Sequence, residues 1–236
     1  MHPLRSHCLP FFVVLLTACR LMGADPSVSA SATPDQTAPA APVTANPPVP
    51  DIENDYFRVL KNASAPPEAN ANIGARVIVA LKDVVIGGSG GERKLERGQI
   101  AVFNPGEAFT ISGEYFEVSF KSNHPPLLEP TEWVEPAKNT VIHDAPDFRI
   151  FEERLEENDT REVHSHAQRV VIRLNNVQLT DPRFHDKARD GKGGMQVPDT
   201  AKYADPIVHA VKNLGPGPLF NIVIEYKLPP HAPAAS

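Results

Sequence analysis

Two parts of this sequence are versions of one another. "DYFRVLKNASAPPEANANIGARVIVALKDVVI" runs from Asp55, and "PDFRIFEERLEENDTREVHSHAQRVVIRLNNVQL" runs from Pro146. "FRVL" matches "FRIF", and "RVIVALKDV" matches "RVVIRLNNV". Each part then closes alike, with "FEVSFKSNHPP" from Phe116 and "FNIVIEYKLPP" from Phe220. Matched segments in one order imply an internal duplication with units of about 90–100 residues. Whatever fold the chain adopts, it adopts twice.

Each unit consists of short runs rich in Val, Ile and Phe, such as "RVIVAL", "QIAVF", "FEVSF", "RVVIRL" and "FNIVIEY", broken by Gly, Pro and Asn. These runs predict strands, and "GGSGG" at 87–91 and "NPGE" at 104–107 predict turns between them. No long helical periodicity competes. Many short, evenly spaced strands predict an all-β sandwich or small barrel. The polar, Gly-rich segment 183–202 predicts a long loop in the second unit. Its "GKGG" lacks the spacing and the following Ser or Thr of a phosphate-binding loop.

The ends of the chain have a different character. Arg5 followed by the apolar run Leu9 to Leu16 has the form of an export signal and is too short to span a bilayer. It closes on "LTAC", Leu16 to Cys19, which resembles the lipobox of bacterial lipoproteins. That resemblance implies lipidation at Cys19 and a periplasmic or outer-membrane lipoprotein; plain secretion, with cleavage after Ala24, is the alternative. The chain has two cysteines, Cys8 and Cys19, so the mature domain has no disulfide and depends on a core. Residues 25–50 are Pro, Ala, Ser and Thr with few large apolar side chains, and predict a disordered tether. The expected organisation is a signal segment over 1–19, a linker over 20–50, a first unit over 51–125, an inter-unit linker over 126–145, a second unit over 146–228 and a tail over 229–236. A net charge of −6 without basic clusters argues against a nucleic-acid partner. Membrane contact is expected only through the N-terminal lipid, and a homo-oligomer is compatible with the sequence.

The most informative stretch is "EVHSHAQRVVIRL", 162–174. Strand side chains alternate faces, so Glu162, His164, His166 and Gln168 are predicted to share one face. His209 lies downstream in "ADPIVHAVKN". Two imidazoles at i and i+2, with a third from a neighbouring strand, suit a facial site for zinc, iron, nickel, manganese or copper.

His-x-His followed by Pro-x-x-His-x-x-x-Asn, here "HSHAQRVVIRL" and "PIVHAVKN" (Pro206 to Asn213), resembles the two motifs of the cupin superfamily. With the duplication, the chain resembles a bicupin over about 55–227, and is most similar to small bacterial cupins whose units open with a "D-[YF]-x-R-V" strand. The resemblance implies two tandem jelly-roll β-barrels and places His164, His166 and His209 at three metal-ligand positions. It also implies an acidic ligand four or five residues after the second His, where this sequence has Val170 and Val171. Gln168 and Glu162 are then the fourth-ligand or pocket residues to test, with a solvated rim carboxylate the other reading of Glu162. In the first unit, "NAN" (Asn70 to Asn72) falls near the His-x-His position and Ala108 or Phe109 at the second-motif His, so that unit is expected to hold no metal. His124, His143, His185 and His231 match no motif, and Trp133 is expected between the units.

The reading that follows is an exported protein that binds a divalent transition metal (zinc, iron, manganese or nickel) through three histidines and acts on, or holds, a small molecule. The alternative is a non-catalytic ligand-binding or structural module of the cell envelope.

Overall fold

Strands with two apolar faces and strands with one divide the chain into layers. The computed structural model describes residues 48–63, 72–136, 139–183 and 194–229. The export signal, Cys19, the tether up to residue 47, Asn70, His185 and the tail from 230 lie outside the described residues, which all belong to one compact unit, Ala45–Ser236.

Fourteen strands and no helix make up the described residues. In the first half, β1 (Ile52–Glu53), β2 (Phe57–Lys61), β3 (Ile73–Gly88), β4 (Gly91–Leu95), β5 (Ile100–Phe103) and β6 (Thr110–Lys121) form one antiparallel sheet. In the second, β7 (Asn139–Asp144), β8 (Phe148–Leu155), β10 (Arg169–Arg173), β12 (Thr200–Ala204) and β14 (Leu219–Tyr226) form a five-stranded sheet in the order β12-β10-β14-β8-β7. A second, three-stranded sheet has the order β11-β13-β9, from β11 (Leu179–Thr180), β13 (Ile207–Asn213) and β9 (Thr160–His166).

The duplication is visible residue by residue in the pairing. Arg76 faces Ser119 and Phe103 across its neighbours, and Arg169 faces Glu225 and Ala204 in the same way. Phe57 faces Phe120, as Phe148 faces Tyr226. The path β1-β2-β6-β3-β5 therefore repeats as β7-β8-β14-β10-β12. This register aligns "RVIVAL" with "RVVIRL" without a gap, but sets Phe116 beside Ile222 rather than Phe220. The slip of two residues keeps every side chain on its expected face. β7 is the counterpart of β1, so the stretch 126–145 read as linker contains a strand. Its Val141 and Ile142 are exposed on the sheet edge, which is why the run does not stand out as core.

One core joins the halves. Phe57, Val59, Val77, Val79, Val118 and Phe120 from the first sheet pack with Phe148, Ile150, Val170, Ile172, Ile222, Ile224 and Tyr226 from the second. Full burial of such side chains contributes about 1.5–3 kcal/mol each. The first half has a further apolar core of its own, including Ile78, Ala80, Ala101, Phe103 and Tyr115. There β3 and β6 bend together at a register shift between Ala80 and Val84. Gly113, at φ +118°, permits the bend, since a Cβ there would lie 2.5 Å from the Asp83 carbonyl oxygen.

Candidate functional site

The inner face of the second half is polar. Along β14, Ile222, Ile224 and Tyr226 point into the shared core, while Asn221 and Glu225, both buried, point the other way toward the three-stranded sheet. Arg169 and Arg173 on β10 and Glu153 on β8 share that inner face. Facing them from the three-stranded sheet are the histidines.

β9 and β13 lie side by side, and their register sets His209 directly opposite His164, and Ile207 opposite His166. Opposite residues on an antiparallel pair share a face, as do residues two apart on one strand. The three rings therefore converge. Ring centroids are 4.6 Å apart for His164 and His209, 4.8 Å for His164 and His166, and 5.3 Å for His166 and His209. One nitrogen from each ring lies within 4.8 Å of the other two. A bulge just after His209 shifts the register, and the pairing resumes at Val211 opposite Arg161.

The ring orientations have identifiable causes. His164 Nδ1 donates to the Glu162 carbonyl at 2.7 Å. A carbonyl only accepts, so Nδ1 carries the proton and Nε2 keeps its lone pair. His166 Nδ1 lies 3.3 Å from the Glu225 carboxylate, and its ring stacks on Phe151. The Nε2 atoms of His164 and His209 are buried with no hydrogen-bond partner. Burial drives all three imidazoles toward the neutral form. His164 is lowered, His166 is held well below its ordinary value, and His209 is pushed down to about 2.

Beneath the rings lies a charged network. Arg161, fully buried, donates to Glu153 at 2.6 Å, Asn221 donates to the other Glu153 oxygen at 2.8 Å, and Gln196 donates to Asn221 at 2.7 Å. Burial alone would raise the Glu153 carboxyl, but the Arg161 charge and the Asn221 hydrogen bond outweigh it and hold it low. Glu225 accepts from the Ala167 N–H, and burial raises its carboxyl against the pull of Arg149 and Arg169.

Of the five site residues expected from sequence, three meet here and two do not. Glu162 is exposed, and its side chain stays at the rim. Gln168 is buried but turned elsewhere: its amide accepts from the Leu128 N–H at 2.6 Å and donates to the Leu128 carbonyl at 3.1 Å. β9 ends at His166 and β10 begins at Arg169, so the alternation stops before it reaches Gln168. The acid that touches the cluster is Glu225, from a strand distant in sequence. A lone charge at a core position of "FNIVIEY" is its signal. In the first half, counting on from Phe103, the counterpart of Ala204, puts Ala108 at the place of His209.

A cavity of about 560 Å³ opens beside the rings, with His166 and His209 in its wall. No family model and no curated protein matches this sequence. Among solved structures, the chain is similar to a Pseudomonas aeruginosa structural-genomics target described as a glyoxylate-induced protein. The TM-score is 0.50 at 11% identity, covering 73% of this chain and 74% of that one. It is also similar to a cupin 2 conserved barrel domain protein from Leptotrichia buccalis, with TM-score 0.45, 14% identity, and 75% and 86% of the two chains covered. An oxalate decarboxylase gives TM-score 0.44 at 14% identity, with 72% and 68% covered. At such identities the likeness concerns the fold alone, and the fold is all-β, built of antiparallel sheets.

Proposed function

We propose that this chain binds one divalent transition metal through His164, His166 and His209, and that the adjoining cavity presents a small molecule to it. The observation that carries this reading is the pair of buried Nε2 atoms, on His164 and His209, that converge with His166 and have no hydrogen-bond partner. Buried polar atoms are rarely left unsatisfied, and a common ligand for three neutral imidazoles accounts for them. The surroundings fit. The Glu162 carbonyl holds His164 in one tautomer, and Glu225 orients His166, as carboxylates do behind metal-bound histidines. Zinc, iron, manganese and nickel all accept such donors; a bound ion would supply a Lewis acid to an oxygen of the small molecule. With no carboxylate among the three, the ion's charge stays uncompensated and favours an anionic ligand.

Elemental analysis of tag-free protein tests this. About one metal ion per chain is expected, with severe loss in each of His164→Ala, His166→Ala and His209→Ala, and no change in His124→Ala. Metal retained by all three variants would overturn the proposal.

The same reading places the protein outside the cytoplasm, anchored through Cys19. It is supported by the apolar run ending at "LTAC". Cys19→Ala is expected to move the protein from the membrane to the soluble fraction. A mature chain beginning at Asp25 by intact mass would instead establish plain secretion.

A further inference from the structure

The duplicated half serves as an internal control for the cavity. In register, Ile78, Ala80, Ala101, Phe103 and Tyr115 of the first half correspond to Val171, Arg173, Lys202, Ala204 and Asn221 of the second. The first five are core residues packed against one another. The second five line the cavity. Phe103 and Tyr115 fill space that Ala204 and Asn221 leave open, and two alanines give way to two cations.

Among the described residues, the cations have no partner that explains them. Arg173 and Lys202 are diagonal neighbours on one face, since Arg173 pairs with Thr200 and Val171 with Lys202. Arg173 is half-buried, and burial alone lowers its guanidinium, with no nearby acid acting to restore it. Among the described residues, neither side chain is in an ion pair. The acids of the cavity are engaged elsewhere. Glu153 is held by Arg161 and Asn221, Asp181 by Arg183 and the Ala210 N–H, and Asp205 accepts from the Tyr203 hydroxyl at 2.9 Å. Arg169 donates to the carbonyls of Ala167 and Asp205. A half-buried guanidinium and an ammonium remain, facing a space that also holds His166 and His209.

The geometry points to a small organic carboxylate as the occupant of this cavity, its carboxylate on Arg173 and Lys202 and its remaining polar end toward the histidines. A guanidinium recognises a carboxylate through two parallel hydrogen bonds. Val171, Val223 and Leu179 in the same wall suit a short carbon skeleton, which an inorganic anion lacks. This deepens the reading of the site given above and relies on it only for which end of the ligand faces the rings.

The test is calorimetric titration of metal-free protein with the sodium salts of acetate, malonate, succinate and 2-oxoglutarate, and with inorganic phosphate, at constant ionic strength. At least one carboxylate is expected to bind saturably and at least tenfold more tightly than phosphate. Its affinity is expected to fall at least tenfold in Arg173→Gln and in Lys202→Gln, with Lys94→Gln, far off on β4, unchanged. Lys202 is exposed, so its variant keeps the test open even if the Arg173 variant folds poorly. Metal uptake by the two variants is expected to match wild type. The inference is overturned if no carboxylate binds, if phosphate binds as well, if the variants bind like wild type, or if both lose metal uptake with affinity. Carboxylate binding of the expected kind in a protein that takes up no metal would keep this inference and remove the metal.

Discussion

Replacing Arg161 with methionine is expected to cost about 3–5 kcal/mol of folding stability, a large part of what a domain of this kind has. Arg161 is 1% exposed and donates to Glu153 at 2.6 Å. Methionine keeps much of the volume but leaves Glu153 as a buried carboxylate without its main counter-charge. Asn221 still donates to it, which is too little to offset an unpaired charge in this interior. Arg161→Met combined with Glu153→Gln is expected to recover most of the loss, because the uncompensated charge is then gone. Urea unfolding of both variants measures this. A single variant within about 1 kcal/mol of wild type, or a double variant no better than the single, would show that the pair contributes little.

Acid is expected to destabilise the metal-free protein above the ordinary carboxylate range. The three histidines have folded pKa values below their ordinary value because burial disfavours the imidazolium. In the unfolded chain they protonate near about 6.5. Below that pH the unfolded state binds more protons than the folded one, so stability falls as pH falls. Above it the contribution is complete and flat. Each histidine can contribute a slope of up to about 1.4 kcal/mol per pH unit. Glu225 works in the opposite direction, since its raised carboxyl takes up a proton in the folded state first. Glu153, held low, adds to the loss only below the ordinary carboxylate range. The net expectation between pH 7.5 and 5 is a loss of order 4 kcal/mol, read by urea unfolding in chelator. A stability constant to within about 1 kcal/mol over that range would contradict the burial of the three rings in neutral form.

The fold and the imidazole cluster were legible in the sequence because both depend on strand periodicity. An alternation of two places His164 and His166 together, and a second motif on the neighbouring strand brings His209 to them. What the alternation could not reach were its own limits. Gln168 lies just past the end of β9, where the chain turns and the parity is lost. Glu162 keeps the parity but sits where the strand emerges into solvent. The slip of two between Phe116 and Phe220 came from matching the first aromatic of each run, whereas the sheet aligns Phe120 with Tyr226. Glu153 and Glu225 were missed because a single acid inside an apolar strand gives no spacing to read. Only the fold shows that "FRIFEERL" and "FNIVIEY" lie against one another and turn those acids toward the rings.

The core shared by the first-half sheet and the five-stranded sheet of the second half has a consequence for how such a chain can diverge. A lone unit with this face would cover it with an identical copy, at a strength set by concentration and lost on dilution. Here the copy is tethered in the same chain, and the face is covered at the effective concentration of a linked partner. Identical copies must also carry the same interior twice. A fused pair is released from that symmetry, so one interior can close around Phe103 and Tyr115 and lend rigidity, while the other keeps charges, imidazoles and open space that would be too costly to hold in both.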